Sequence, residues 1–233
     1  MKRLVFNKMC RMVGMVIIVT LFCSCQAVTL RQAQNEYNKG VMLKNAATGE
    51  FAYADVHYKS ALDLLKNVNT TGNEQLDISK DVLTALCYWQ IADYKKADEK
   101  LQMLKKKISE AAPRDRVLIN LLPALIKIDE AKGDIPFEYR RDEGLQGEVN
   151  QKIDAALGEI DKALPHAKSP MIRIYVLESG LEAYRVRQWA HNALGDRRDP
   201  AFDQAMKEKI KRSFLNPLPP EIGGQWRKTL GII

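Results

Sequence analysis

Apolar residues recur at spacings of three and four along most of this 233-residue chain, and alternating runs of β-branched residues are absent. Such spacing places the apolar side chains on one face of an α-helix. Clusters of glycine, proline, asparagine and threonine interrupt the pattern and indicate where the helices end. The sequence therefore predicts eight helices in four pairs, at about 29–47 and 50–67, 74–92 and 94–110, 114–132 and 146–165, and 170–193 and 199–215.

The tail of the chain, residues 216–233, is rich in proline and glycine and is predicted to be mostly irregular. It nevertheless carries an apolar residue at every fourth position, at Leu218, Ile222, Trp226 and Leu230. Because a stack of helix pairs must cover its last apolar face, we expect the tail to act as a cap. Docking of a partner is the alternative use.

The second helix of each of the first three pairs repeats one pattern of side chains. A small residue is followed four positions later by a large one and then, three positions further, by another apolar residue. These positions share one helix face, and the small residue allows the preceding helix to approach closely. The residues that follow the pattern are Ala54, Tyr58 and Ala61, then Ala97, Leu101 and Leu104, and then Ala156, Ile160 and Ala163.

The first of these helices, with the turn before it, resembles the tetratricopeptide repeat (TPR) through Gly49, Glu50, Phe51, Ala54, Tyr58 and Ala61. In the preceding helix, Gly40 resembles the small packing residue of that family. The second turn has Ala92 where the family has glycine. The resemblance implies an all-α fold, a TPR-like right-handed solenoid of about four helical hairpins over residues 29–215.

The repeat departs from the regular TPR in its length. The small residues Ala54, Ala97 and Ala156 are 43 and 59 residues apart, whereas a regular repeat has 34. An irregular helical bundle with one TPR-like hairpin is therefore the alternative architecture.

The N-terminus has the character of a targeting segment. Basic residues come first, and an apolar run from Met12 to Phe22 follows. This run is shorter than a membrane-spanning helix needs, but it suits a secretion signal. The segment Leu21–Cys25 resembles the lipobox of bacterial lipoproteins, with Ser24 as the small residue before the cleavage site.

This resemblance implies that residues 1–24 are a cleaved signal peptide and that Cys25 carries the acyl chains that anchor the protein to a membrane. Residues 25–28 would then form a short lipidated linker. Phe22 stands where the family usually has leucine or another aliphatic residue. An uncleaved N-terminal anchor helix, or ordinary cleavage nearby, is the alternative.

The net charge argues against a nucleic-acid partner. The full chain has a formal charge of +7, but residues 1–24 contribute four basic residues and no acidic ones. Without them, 32 basic and 29 acidic residues remain, a charge of about +3. That balance is typical of an ordinary folded domain and is too small to indicate binding to nucleic acid.

The sequence has no catalytic or cofactor-binding motif, such as G-x-S-x-G, a P-loop or a glycine-rich dinucleotide turn. No closely spaced histidine and cysteine set predicts a zinc site. In the mature chain only Cys87 would be unmodified, and its apolar neighbours predict that it is buried. We therefore expect no catalytic residue, no metal and no cofactor.

Two groups of residues are candidates for binding a partner. The first is an insertion between the fifth and sixth helices that combines two aromatic residues with two arginines: Phe137, Tyr139, Arg140 and Arg141. Tyrosine and arginine are favoured at protein interfaces, and loops carry function more often than cores. Covering the end of the helical stack is the alternative role for the aromatics. The second group is Arg185 and Arg187 on the seventh helix.

A run of lysines, residues 105–107, closes the fourth helix. Cations there complement the negative end of the helix dipole. Contact with an anionic partner or a lipid headgroup is the alternative.

These features lead us to expect a lipid-anchored, TPR-like scaffold that binds envelope proteins and is not an enzyme. Gln26 differs from the aspartate that retains some lipoproteins at the inner membrane, so we expect the outer membrane, with the domain facing the periplasm. The alternatives are an envelope spacer, or a helical ligand-binding protein or enzyme with a pocket near Tyr139, Arg185 and His191.

Overall fold

The computed structural model describes residues 26–44, 51–196 and 198–232. These ranges are helical and contain no strand, which confirms the prediction of an all-α fold. The chain divides into two compact units, Met1–Glu110 and Ala111–Ile233. The predicted signal peptide, the lipidation site Cys25, and Gly49 and Glu50 of the TPR-like turn lie outside the described residues.

The described residues of the first unit form four helices: α1 (26–44), α2 (Phe51–Lys66), α3 (Glu74–Gln90) and α4 (Tyr94–Lys105). Helix α3 packs against both α2 and α4. Asn73 and Asp93 begin α3 and α4 by accepting hydrogen bonds from backbone N–H groups of the first turn. Ala92, between the two helices, has a left-handed backbone with φ of +59°.

A glycine allows α1 and α2 to approach closely. A Cβ at Gly40 would lie 2.6 Å from the Cε1 atom of Tyr58, whose side chain is fully buried. The Tyr37 ring lies beside the Tyr58 ring, with 5.6 Å between their centroids. Gly40 therefore occupies the close-packed position that the sequence predicts for it.

Cys87 lies in the core of the first unit, which confirms its predicted burial. Burial raises the pKa of its thiol to about 12. Because the thiolate is the reactive form, Cys87 is chemically inert at neutral pH.

The second unit is built around three long helices: α5 (Pro113–Asp134), α6 (Glu143–Ala163) and α7 (Pro170–Leu194). Helix α6 packs against both of the others, and α5 also contacts α7 directly. A 3-10 turn, Leu164–His166, extends α6. The short helix α8 (Gln204–Ile210) continues into a π-helical turn, Lys211–Leu215, which packs on α7.

The prediction of an irregular tail is wrong, because residues Pro220–Leu230 form a further helix, α9. Proline is tolerated in the first turn of a helix, where its missing N–H has no partner to lose. The tail packs on α7, where Trp226 Nε1 donates to Glu178 Oε1 at 3.1 Å and Gln188 Nε2 donates to the Leu230 carbonyl at 3.3 Å. Leu230 is buried.

The π-helical turn brings Phe214 against α7 at a glycine. The Phe214 ring makes an edge contact with Tyr184, with 5.7 Å between the centroids. It lies so close to Gly180 that a Cβ there would overlap the ring. The second unit thus repeats the use of a small helix residue beneath a buried aromatic ring.

We expect Gly180→Ala to lower the free energy of unfolding by about 1–2 kcal/mol, because overpacking outweighs the gain in helix propensity of about 1 kcal/mol. Urea unfolding measures the change. Gly158→Ala is the matched control, since Gly158 is exposed on α6 and a Cβ there meets nothing within 4 Å. The control should gain up to about 1 kcal/mol. Equal stabilisation of both variants would contradict the packing argument.

Candidate functional site

The insertion between α5 and α6 covers the C-terminal end of α7. The N–H of Arg140 donates to the Ala193 carbonyl, and that of Asp142 donates to the Leu194 carbonyl, both at 2.9 Å. The last carbonyls of a helix have no partner within the helix, so these bonds satisfy two of them. The Tyr139 hydroxyl lies 3.4 Å from the carbonyl of Gly195. The backbone of the insertion is therefore fixed to α7.

The side chains of this insertion point largely into solvent. Phe137 is 100% exposed and Tyr139 is 46% exposed. Arg140 pairs with Asp142 at 3.1 Å, and Arg141 pairs with Glu143 at 2.6 Å. The backbone of the insertion covers the end of α7, but the Phe137 ring does not. The alternative prediction, that the aromatic residues cover the end of the helical stack, therefore does not apply to Phe137. A fixed loop that presents a bare aromatic ring is suited to contact with another protein.

Arg185 faces α5 through a network of charges. Its Nε atom donates to Glu182 Oε2 at 2.6 Å. Lys132 of α5 lies 2.9 Å from the other carboxylate oxygen of Glu182 and 3.0 Å from Oδ1 of Asp129. The network links α5 to α7 with every charge paired.

Burial and pairing act in opposite directions on these groups. Burial alone would lower the pKa of Lys132, but the charges of Asp129 and Glu182 raise it above its ordinary value. Burial alone would raise the pKa of Glu182, but the hydrogen bond from Arg185 and the charge of Lys132 lower it. These groups therefore hold their charges at neutral pH and are poor proton donors or acceptors for catalysis.

Arg187 has a different environment, between α6 and α7. Only 11% of its side chain is exposed. It donates to Asp154 Oδ1 at 2.5 Å and to the Asn150 carbonyl at 3.3 Å. The guanidinium also lies 6.0 Å from the centroid of the Tyr184 ring. These contacts hold α6 to α7 and leave Arg187 little surface for a partner.

The predicted binding residues therefore lie in three places. Phe137, Tyr139, Arg140 and Arg141 lie at the end of α7, Arg185 lies beside α5, and Arg187 lies against α6. Residues two apart on a helix point in different directions, so Arg185 and Arg187 do not share a face. Sequence reasoning missed Lys132 and Glu182, although the spacings of Asp129–Lys132 and Glu182–Arg185 are those of helical ion pairs.

Both ring nitrogens of His191, which the sequence suggested for an alternative pocket, have hydrogen-bond partners. His191 Nε2 lies 2.9 Å from the Asp199 carbonyl, and Nδ1 lies 3.3 Å from the Gln146 amide nitrogen. A ring that donates from Nε2 and accepts at Nδ1 satisfies both contacts. With both nitrogens engaged, His191 orders the segment after α7.

The first unit has an open groove of about 590 Å³ along α1, which the sequence did not indicate. Glu36 lies in this groove, 2.6 Å from Lys39 Nζ and 2.7 Å from His57 Nδ1. Hydrogen bonds from these two partners lower the pKa of Glu36. Amides and one methionine supply much of the remaining lining: Gln32, Asn35, Asn38 and Met42.

We expect Lys132→Met to lower the free energy of unfolding by about 1–2 kcal/mol at pH 7, because it removes the cation between two partly buried carboxylates. Glu182 has a lowered pKa, so its stabilisation is present above its unfolded pKa and is lost as the pH falls through the folded value. The difference from the unsubstituted protein should therefore shrink below about pH 4.

Urea unfolding at several pH values measures this difference. Lys162→Met is the matched control, because the Lys162–Glu159 pair is exposed on one helix and should change stability by less than about 0.5 kcal/mol. A loss at Lys132 that does not depend on pH would rule out the charge network as its cause.

In the part of the chain that the structure describes, no helix is long and apolar enough to cross a membrane. Within the same residues, no three histidine, cysteine, aspartate or glutamate side chains are grouped to hold a metal ion. In comparisons with known proteins, no family model, no curated protein and no solved structure matches this chain.

Proposed function

We propose that this protein is a lipid-anchored, TPR-like scaffold that mediates protein–protein contacts in the assembly or maintenance of a cell-envelope complex. The observation that carries the proposal is that one side-chain pattern is buried three times. The residues of α2, α4 and α6 that follow this pattern are at most 2% exposed: Ala54, Tyr58, Ala61, Ala97, Leu101, Leu104, Ala156, Ile160 and Ala163. Repeated units that each bury one face on a neighbour are the basis of a solenoid.

Three further features support a TPR-like arrangement. Gly40 packs against the Tyr58 ring, as the small residue of a TPR first helix packs against its second helix. Ala92 has the left-handed φ that suits the glycine of the family's consensus at this turn. Helix α5 contacts both its hairpin partner α6 and the following α7, as a stack of hairpins requires.

The lipid anchor is proposed from the lipobox-like residues before Cys25. The described part of the chain begins with a helical residue at Gln26, so little linker would separate the acylated cysteine from the first unit. Gln26 in place of aspartate favours the outer membrane, with the domain facing the periplasm. An anchored scaffold of this kind would hold its partners at the membrane surface.

The partner surface that we propose is the insertion at the end of α7. Phe137 is the most exposed large apolar residue of the described chain, and Tyr139 and the arginine pairs follow it in the same loop. Aromatic and arginine side chains supply much of the energy at protein interfaces. We propose an envelope protein as the partner. Arg185 lies nine residues before the end of α7 and is paired with Glu182, so the surface that we propose does not include it.

A second candidate function rests on the groove along α1. Its amide side chains and the Glu36–His57 pair offer hydrogen bonds to a small polar ligand. A helical ligand-binding protein of the envelope would use such a groove. Saturable binding of a small molecule that Gln32→Ala weakens would favour this function over the scaffold.

The intact mass of the protein extracted from membranes tests the anchor. We expect a mature chain that begins at Cys25 and carries added acyl mass, and we expect that mass to be lost in Cys25→Ala. A chain of unprocessed length, or one without acyl chains, would remove the anchor from the proposal.

Chemical cross-linking in intact cells tests the partner surface. We expect Phe137→Ser to reduce the yield of a specific cross-linked envelope protein severalfold, because the ring would be lost from the centre of the contact. Stability should change by less than about 0.5 kcal/mol, since the ring is fully exposed. Met171→Ser is the matched control, because Met171 is 76% exposed at the opposite end of α7. Equal yields from both variants would contradict a role for the insertion.

A further inference from the structure

The N-terminal end of α1 and the lysine run at the end of α4, residues 105–107, lie at the same end of the first unit. The Asn69 N–H donates to Gln26 Oε1 at 2.7 Å. The Thr70 hydroxyl, in the same loop, donates to Asp77 Oδ1 at 2.8 Å. Lys107 Nζ donates to the other oxygen of that carboxylate at 3.2 Å. Three hydrogen bonds thus connect the start of α1, the loop between α2 and α3, and the lysine run. We call this end of the unit the lysine end.

The charges at the lysine end leave two cations without a carboxylate partner. Lys105 and Lys106 are exposed, and no carboxylate of the described residues lies within ion-pair distance of either. The carboxylates nearby are engaged: Asp63 pairs with Lys66, and Asp77 pairs with Lys107.

Two further carboxylates at this end, Glu74 and Glu110, are neighbours, and a hydrogen bond between their carboxyl groups together with their mutual repulsion raises the pKa of Glu110. Lys80 Nζ donates to the Val68 carbonyl in the loop after α2 and adds a cation to this end. The lysines here outnumber the carboxylates by five to four: Lys66, Lys80, Lys105, Lys106 and Lys107 against Asp63, Glu74, Asp77 and Glu110.

The lysine end also exposes apolar surface. Val28, in the first turn of α1, is 54% exposed. Ala27 beside it is exposed too. Small apolar side chains and exposed lysines at one end of a unit suit the boundary between lipid headgroups and acyl chains.

We propose that the lysine end of the first unit lies on the membrane surface, with Lys105 and Lys106 against anionic lipid headgroups. This inference rests on the lipid anchor proposed at Cys25. Consecutive Cα atoms are about 3.8 Å apart, so an acylated Cys25 leaves no length of chain between the membrane and Gln26. The side chain of Gln26 is in turn bonded to the loop after α2, which fixes the end of the unit that faces the lipid.

The two attachments would reinforce each other. A lipid chain and a basic patch together bind a membrane more firmly than either does alone. Attraction between lysines and anionic headgroups acts over about 8 Å at physiological salt, and the anchor would hold the lysine end next to the lipid. The helices of the unit would then stand on the membrane with their opposite ends turned away from it.

Fluorescence quenching by lipid-borne nitroxide tests this orientation. The acylated full-length protein would carry one new cysteine, Lys106→Cys or Lys95→Cys, labelled with a fluorophore. Cys87 is fully buried, so it does not compete for the label. Both substitutions remove one exposed lysine, and Lys95 lies about 15 Å from the lysine end along α4. Vesicles of phosphatidylethanolamine and phosphatidylglycerol with a nitroxide-labelled headgroup supply the quencher.

We expect severalfold stronger quenching at position 106 than at position 95. The contrast should shrink when phosphatidylcholine replaces phosphatidylglycerol, and when high salt screens the charges. Quenching at position 95 that equals or exceeds that at 106 would overturn the orientation. A contrast that persists fully on neutral lipid would overturn the role of the anionic headgroups.

The intact mass of the same labelled sample separates the two proposals. If the chain is acylated and the quenching contrast is absent, the anchor stands and the orientation is wrong. If the chain carries no acyl mass, the anchor is wrong, and the orientation that rests on it fails with it.

Discussion

Close contact between an aromatic ring and a helix backbone is the constraint on which both units depend. Tyr58 packs on Gly40 in the first unit, and Phe214 packs on Gly180 in the second. Neither ring would fit above a side chain, because a Cβ at either glycine would overlap ring atoms. Helices that approach this closely exclude water and bury the small and large residues around the contact. In these two places the buried faces meet because the glycines allow the approach.

The same packing determines which charged groups remain available to partners. Where helices pack side by side, the charged groups between them form ion pairs. Lys132 pairs with Glu182 between α5 and α7, and Arg187 pairs with Asp154 between α6 and α7. Charges and rings on loops and helix ends keep their exposure. The proposed functional surfaces are therefore the insertion around Phe137 in the second unit and the lysine end of the first. Hydrogen bonds within each unit hold these surfaces in place. The bonds from the insertion go to carbonyls at the end of α7, and a bond at the lysine end joins Lys107 to Asp77.

These surfaces fit one interpretation of the protein. A membrane anchor at Cys25 would place the first unit on the lipid, and a fixed aromatic loop in the second unit would bind an envelope protein. Neither surface needs a bound ligand to form, because intramolecular bonds already hold its backbone. A scaffold gains from such preorganisation, since little conformational freedom is lost when the partner binds.

The sequence by itself determined the helices, their approximate ends and the buried face of each repeated pattern, because these follow from local spacing and turn residues. It failed at α9, where proline-rich composition predicted irregular chain but packing on α7 stabilises a helix that begins at Pro220. Only the tertiary structure decided which candidate residues share a surface. Arg187 lies in a contact between helices, and the Phe137 ring is exposed. Each outcome depends on residues distant in sequence, and the spacing of residues along one helix does not specify them.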